Sequence, residues 1–158
     1  MEQRRAPLTD RPVFNTIRAC YQCAKCTSGC PVATLDSEYN PRRFLRLAAI
    51  REEEAVLKDE KLWYCLACFT CQERCPEEAR PAEVLLALKN LACERGFAPA
   101  ALLAAAKLVA EDGRLYNIDE FHNEYREDEG LPALDEETGI LSRLLAGTAL
   151  FGEHQDQK

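Results

Sequence analysis

Eight of the nine cysteines in this chain fall into two runs that share the same internal spacing. The first run is Cys20-Tyr-Gln-Cys23-Ala-Lys-Cys26-Thr-Ser-Gly-Cys30-Pro31, and the second is Cys65-Leu-Ala-Cys68-Phe-Thr-Cys71-Gln-Glu-Arg-Cys75-Pro76. Both read C-x2-C-x2-C-x3-C-P. Three thiolates at two-residue gaps wrap a short loop around one metal centre. The loop is then too tight to supply the fourth ligand, and the proline turns the chain away.

This spacing is that of bacterial ferredoxins with two [4Fe–4S] clusters, in which the fourth cysteine of each run ligates the other cluster. We therefore predict that one cluster is bound by Cys20, Cys23, Cys26 and Cys75. The second cluster is predicted on Cys65, Cys68, Cys71 and Cys30. Because each run would then hold the other in place, metal binding and folding are expected to be coupled.

Two other interpretations of the cysteines remain. Structural zinc favours two Cys-x-x-Cys or Cys/His pairs, whereas here each run has three closely spaced cysteines and a fourth before proline. Disulfides fit an odd cysteine count poorly. The ninth cysteine, Cys93, lies in a helical stretch and is interpreted as a small buried apolar residue rather than a ligand.

Composition and charge exclude several classes of function. The chain has 158 residues, is 47% hydrophobic and has a formal net charge of −7. An acidic chain with no basic stripe argues against binding to nucleic acid or to an anionic membrane surface. The N-terminal residues lack the apolar core of a signal peptide, and no apolar stretch is long enough to cross a bilayer. We therefore expect a cytoplasmic protein without direct membrane insertion, in which thiols stay reduced.

The segments around the two runs predict an all-α fold. Asn40-Pro41 is typical of a helix start, and the following residues to Ile50 place Phe44, Leu47 and Ala48 on one face. Pro81 is expected to start a second helix that ends near Gly96. A third helix is predicted over 99–112. The aromatic pair Trp63-Tyr64 before Cys65 either shields a cluster or belongs to the core.

The last part of the chain differs in composition. Residues 1–79 hold 12 Lys or Arg and 12 Asp or Glu, whereas residues 80–158 hold 8 and 15. We expect an α-helical ferredoxin domain over 1–113 and an acidic extension over 114–158. The segment 116–130 is poorly periodic, and a last helix is predicted through Ile140–Leu145, capped by Asp135 or Thr138. The extension is either a solvated acidic face or a docking segment that uses Phe121, Tyr125, Leu131, Leu134 and Leu144. The histidines, His122 and His154, are interpreted as surface residues.

The remaining motifs argue against catalysis by this chain alone. Clusters with four cysteine ligands pass single electrons and offer no open iron to a substrate. The chain has no G-x-G-x-x-G turn, no P-loop and no radical-enzyme C-x3-C-x2-C loop. We therefore expect an electron-transfer protein that is not an enzyme on its own.

The residues around both runs resemble the small C-type iron–sulfur subunit of heterodisulfide reductases and their bacterial relatives. The resemblance covers residues 10–95 and rests on the two runs together with Tyr39-Asn40-Pro41-Arg42-Arg43, Leu62-Trp63-Tyr64-Cys65 and Cys71-Gln72-Glu73-Arg74-Cys75-Pro76. It implies an α-helical ferredoxin fold with two [4Fe–4S] clusters. It also implies electron relay between a flavin-containing A-type subunit and the catalytic B-type subunit, which has CCG motifs. The cysteine pattern alone is shared with iron–sulfur subunits of other soluble dehydrogenases, so relay within such an enzyme is the alternative.

Overall fold

A computed structural model of the chain describes residues 11–116, 118–134, 140–145 and 148. Over these residues the secondary structure is α-helix and short 3₁₀ helix, with no β-strand, which confirms the all-α prediction. The chain divides into two compact units, the first ending at Phe97 and the second beginning at Ala98. All eight cysteines of the two runs belong to the first unit.

The first unit contains six α-helices and two 3₁₀ helices within the described residues. The 3₁₀ helix Pro12–Ala19 leads into the first cysteine run, and Glu60–Tyr64 leads into the second. The α-helices are, in chain order, α1 Lys25–Ser28, α2 Pro31–Leu35, α3 Pro41–Ala49, α4 Glu53–Leu57, α5 Thr70–Glu73 and α6 Pro81–Glu94. Each cysteine run is thus followed by a longer helix, α3 or α6, that begins with a proline.

The start of α3 follows from two adjacent residues. Asn40 is extended, and its side-chain oxygen accepts a hydrogen bond from the Arg43 N–H at 3.1 Å. Pro41 needs no N–H partner at the first helical position, and its ring presets the helical φ. The prediction of a helix beginning at Asn40-Pro41 is confirmed.

The core of the first unit lies between α3, α4, α6 and the two 3₁₀ helices. Phe44 and Leu45 of α3 and Val56 and Leu57 of α4 are at most 1% exposed. From α6 the core receives Val84, Leu85, Leu88, Leu91 and Ala92. Burying one such leucine contributes about 1.5–3 kcal/mol, so this packing holds the segments on which the cysteines lie. Of the three residues that the sequence placed on one face of α3, Phe44 and Ala48 are buried and Leu47 is partly buried against the core, which also includes Leu45.

The second unit contains α7 Ala100–Asp112, α8 Glu120–Asp128 and α9 Ile140–Leu145, and α7 packs against α9. Gly113 ends α7 with a φ of 72°, a conformation that glycine adopts without strain. The proposed caps of α9, Asp135 and Thr138, lie outside the described residues, as does His154.

Helix α8 falls in the segment that the sequence indicated was irregular. Its side chains are largely exposed, so it lacks the apolar stripe from which a helix is usually recognised. It begins because Asp119 accepts a hydrogen bond from the His122 N–H at 3.0 Å. The sequence feature that indicates this helix is therefore its N-cap residue, Asp119, and not an apolar periodicity.

Among the described residues, no helix is both long and apolar enough to cross a membrane.

Candidate metal centre

The eight cysteines of the two runs line two separate cavities in the first unit. One cavity, of about 290 Å³, is lined by Cys20, Cys23, Cys26 and Cys75. We call it the N-run cavity, because three of its cysteines come from the first run. The other, of about 340 Å³, is the C-run cavity, lined by Cys65, Cys68, Cys71 and Cys30. Each cavity therefore draws three cysteines from one run and the last cysteine from the other.

The two runs share an unusual backbone conformation. Gln22 and Ala67, which precede the second cysteine of each run, have φ values of 65° and 52°. Ala24 and Phe69, which follow that cysteine, have φ values of 68° and 61°. Left-handed conformations cost non-glycine residues about 1–2 kcal/mol each, so they persist only where the surrounding structure imposes them. They turn the loop tightly enough for three cysteines of one run to face one cavity.

Polar side chains attach each loop to the helix that follows it. In the first run, the Thr27 hydroxyl donates to Asn40 Oδ1 at 2.8 Å, and Thr27 Oγ1 accepts from the Arg42 N–H at 3.3 Å. In the second run, Gln72 Nε2 donates to Glu83 Oε1 at 3.0 Å, and Gln72 Oε1 accepts from the Glu83 N–H at 3.3 Å. The starts of α3 and α6 therefore set the positions of the two loops.

Several cysteine sulfurs accept hydrogen bonds. In the N-run cavity, the side-chain amide of Gln22 donates from Nε2 to Cys20 Sγ, and the backbone N–H of Ala79 donates to Cys75 Sγ, each at 3.3 Å. In the C-run cavity, the Ala67 N–H donates to Cys65 Sγ at 3.5 Å. Hydrogen bonds to cluster sulfurs help to set the reduction potential, because they favour the more negative, reduced state.

The cysteines of each cavity differ in burial. Cys26, Cys30 and Cys71 are buried, whereas Cys23 and Cys68 are exposed. Burial raises the pKa of the Cys26 thiol, and it raises the pKa of Cys71 to about 12. The hydroxyl of Thr70 lowers the pKa of the exposed Cys68. Burial therefore favours the neutral thiol at Cys26 and Cys71, and each would have to release its proton to ligate a metal.

Tyr39 is a residue of this site that the spacing of the cysteines did not single out. Its side chain is 1% exposed, packs against the Phe44 ring at 5.7 Å and lines the C-run cavity. Burial raises the pKa of its phenol, and the neighbouring Cys65 contributes to that rise. The only hint in the sequence was the position of Tyr39 directly before Asn40-Pro41.

The remaining sequence candidates lie apart from the two cavities. Leu62 belongs to the core, Trp63 packs against it, and Tyr64 is 48% exposed. None of these three is among the described residues that line either cavity, so the structure favours the core interpretation for Trp63, whereas the exposed Tyr64 fits neither alternative. Cys93 is half-buried on α6 and also lines neither cavity.

The donor set of each cavity fits an iron–sulfur cluster. Four thiolates are soft ligands, which suit Zn²⁺ or an iron–sulfur cluster, and each cavity is lined by four cysteines. Among the described residues, no group of three or more His, Cys, Asp or Glu side chains is placed to hold a single metal ion.

Comparison with known proteins identifies the family. The 4Fe-4S dicluster domain matches residues 16–79, which include all eight run cysteines. The C-type subunit of the ferredoxin:CoB-CoM heterodisulfide reductase of Methanosarcina mazei is 36% identical over 76% of this chain and 73% of its own length. This chain belongs to the family of heterodisulfide reductase C-type iron–sulfur subunits. The family assignment inferred from the residues around the two runs is therefore confirmed.

Two further members of this family are similar in extent. The C-type iron–sulfur subunit of the CoB–CoM heterodisulfide reductase of Methanopyrus kandleri is 34% identical over 76% of this chain and 65% of that relative. The second C-type iron–sulfur subunit of the CoB–CoM heterodisulfide reductase of Methanocaldococcus jannaschii is 34% identical over 77% of this chain and 64% of that relative. The chain thus spans a little under two thirds of the length of these two relatives.

Proposed function

We propose that this iron–sulfur subunit transfers electrons through two [4Fe–4S] clusters, one in each cavity. Cys20, Cys23, Cys26 and Cys75 would hold the first, and Cys65, Cys68, Cys71 and Cys30 the second. The observation that supports this assignment is the division of the eight cysteines between the two cavities, four to each. A bound cluster would supply reversible one-electron chemistry.

The residues of the chain perform three tasks in this proposal. Four thiolates occupy all four irons of each cluster, so no iron is left open to a substrate. The buried core between α3 and α6 excludes water from the inner side of the cavities. N–H groups such as those of Ala67 and Ala79 point at cysteine sulfurs and stabilise the reduced state. None of these tasks is catalytic, so we propose that the chain is not an enzyme on its own.

The partners are proposed from the family. We propose a flavin-containing A-type subunit, together with a CCG-type catalytic B-type subunit, of a heterodisulfide reductase-like complex. This chain has no adjacent pair of cysteines, so a CCG-type centre would belong to another chain. In this proposal the acidic extension 114–158 remains a docking segment, because Phe121, Tyr125 and Leu144 are each at least 64% exposed.

The test of the clusters is a metal analysis on anaerobically purified protein. We expect about eight irons and eight acid-labile sulfides per chain, with two interacting EPR signals after reduction by dithionite. Stoichiometric zinc without sulfide would overturn the proposal and support a structural zinc module.

The test of the partners is affinity purification of the tagged full chain from its native cell under anaerobic conditions. We expect a flavoprotein and a protein with CCG motifs in the eluate. Recovery of a different dehydrogenase would instead support the alternative, in which the chain relays electrons within that enzyme.

A further inference from the structure

The two cavities differ in the charge of the side chains around them. The N-run cavity is lined by two cationic side chains, Lys25 and Arg42. The C-run cavity has no charged residue among the described residues that line it, and its rim includes the apolar Leu66 and Phe69, which are 69% and 38% exposed. The hydrogen bonds to sulfur do not separate the cavities in this way, because both contain them. Near the C-run cavity, Lys89 Nζ donates to the Cys65 carbonyl oxygen at 2.8 Å, but this lysine is half-buried and does not line the cavity. Cationic side chains in the lining therefore distinguish the N-run cavity.

The positive charge extends beyond the lining of the N-run cavity. Arg46 lies one turn after Arg42 in α3, so the two arginines share a face of that helix. Lys25 and Arg46 are exposed, and Arg42 is half-buried with its guanidinium 3.5 Å from the Gln22 carbonyl oxygen. We call Lys25, Arg42 and Arg46 the basic patch.

The basic patch lacks neutralising partners within the part of the chain that the structure describes. None of its three side chains forms an ion pair there, whereas Arg43 pairs with Asp59 and Arg95 with Glu53. The segment 11–51 contains only two acidic residues, Asp36 and Glu38, and both bind Lys61. Near the same cavity, the carboxylate of Glu77 contributes to the raised pKa of Tyr21. The three cations of the patch outnumber this carboxylate.

The basic patch lies beside an exposed cysteine of the N-run cavity, where electrons could enter a bound cluster. Cys23 is exposed at the N-run cavity, so a cluster bound there would approach the protein surface. Charged patches beside a redox centre steer an oppositely charged partner and orient it during the encounter. Because the chain as a whole is acidic, it would repel an acidic partner elsewhere and attract it at the basic patch.

We propose that the basic patch is the docking surface for a one-electron redox protein whose own centre is surrounded by acidic residues. This inference rests on the proposed function, because it requires a cluster in the N-run cavity. In the encounter, one electron leaves the reduced centre of the partner and enters the oxidised cluster on Cys20, Cys23, Cys26 and Cys75. No bond forms or breaks.

The test uses the full chain with its clusters loaded and a reduced plant-type [2Fe–2S] ferredoxin, which is an acidic protein, as the probe. Stopped-flow absorbance gives the second-order rate constant for electron transfer at several ionic strengths. We expect the rate to fall as salt is added, because salt screens the attraction. We expect the triple variant Lys25→Gln/Arg42→Gln/Arg46→Gln to react roughly tenfold more slowly than the wild type at low salt.

Lys58→Gln provides the matched control. It removes one positive charge from an exposed lysine that is already paired with Glu54, and it should leave the rate constant nearly unchanged. A second probe separates docking from a change in driving force. The triple variant should be oxidised by the cation cobalt(III) hexaammine no more slowly than the wild type, because this probe is not attracted to the patch.

Three results would overturn the docking proposal. They are a ferredoxin rate that the triple variant does not lower, an equal loss in Lys58→Gln, and an equal slowing with the cationic probe. To establish cluster loading, the iron and sulfide contents and the EPR spectrum of every sample are measured first. Failure of the wild type to load two clusters would count against the proposed function, whereas normal loading with unchanged rates would count against the docking surface alone.

Discussion

Gly29 and Arg74 occupy the same position in the two cysteine runs, directly before the last cysteine, and they lie against each other. A Cβ atom added to Gly29 would lie 2.8 Å from Arg74 Cδ, closer than such atoms approach. The absent side chain in one run thus accommodates the long side chain in the other. This contact joins the two runs beside Cys30 and Cys75, the cysteines that line the cavity of the opposite run.

The first prediction tests this contact. Gly29→Ala should lower the thermal midpoint of the loaded protein, because Arg74 must move to admit the methyl group. The free energy of unfolding should fall by less than about 1 kcal/mol, which is small for overpacking, because the Arg74 side chain is flexible and exposed. Differential scanning calorimetry measures it. The double variant Gly29→Ala/Arg74→Ala should recover most of the loss, and a purely additive double variant would contradict the explanation.

The second prediction concerns the exchange of ligands between the runs. Cys75→Ser should damage the cluster bound by Cys20, Cys23 and Cys26, and leave the cluster on the other three cysteines of its own run. Iron should fall from about eight to about four per chain, with loss of one of the two EPR signals. Cys93→Ser, which changes a cysteine that lines neither cavity, should keep the full content. Loss of the Cys65-based cluster alone in Cys75→Ser would show that the assignment of ligands is wrong.

The third prediction concerns Tyr39, the buried phenol beside Cys65. Tyr39→Phe should lower the reduction potential of the cluster in the C-run cavity, because it removes a buried hydroxyl beside Cys65 that would favour the reduced state as a hydrogen-bond donor. A hydrogen bond is worth about 0.5–1.5 kcal/mol, and about 1.4 kcal/mol equals 59 mV for one electron, so the shift should not exceed roughly 60 mV. Redox titration followed by EPR resolves the two clusters. An unchanged potential, or a shift in the N-run cluster instead, would refute a role for this hydroxyl.

The fourth prediction concerns the core that supports both loops. Leu88 on α6 is completely buried, so Leu88→Ala should destabilise the protein by about 2–5 kcal/mol. Leu35→Ala, at a leucine that is 91% exposed, should change stability by less than about 0.5 kcal/mol. Thermal unfolding of the loaded proteins under anaerobic conditions compares the two. Similar losses in both variants would contradict the placement of the core.

The fifth prediction concerns the pH dependence of an ion pair. Lys61 binds Asp36 and Glu38, and hydrogen bonds to these carboxylates raise the pKa of Lys61 to about 12. Since the pKa in the unfolded chain is about 10.4, the stabilisation is complete below that pH and is lost as pH rises through about 12. The difference in melting temperature between the wild type and Lys61→Met should therefore be constant from pH 7 to about pH 10. A difference that already closes between pH 7 and about pH 9 would contradict the cited shift.

Much of the fold was predictable because its signals are local. Asn40-Pro41 and Pro81 start helices through their own φ preferences and caps, so neighbouring residues suffice to place α3 and α6. Helix α8 was missed because its side chains are largely exposed and leave no apolar period to detect. The full burial of Leu45 was not predicted, because the packing of α3 against α4 and α6 decides which side of a short helix is covered.

By itself the sequence determined the all-α class, the two cysteine loops and the family, because spacing along the chain sets which thiols share a loop. It also predicted that the last cysteine of each run belongs with the three cysteines of the other run, although only by analogy with other proteins of that spacing. The tertiary structure alone decided that Gly29 meets Arg74, that Tyr39 lies beside Cys65, and that cationic side chains line the N-run cavity and not the C-run cavity. These relationships join residues far apart in the chain, and only the packing of the helices brings such residues together.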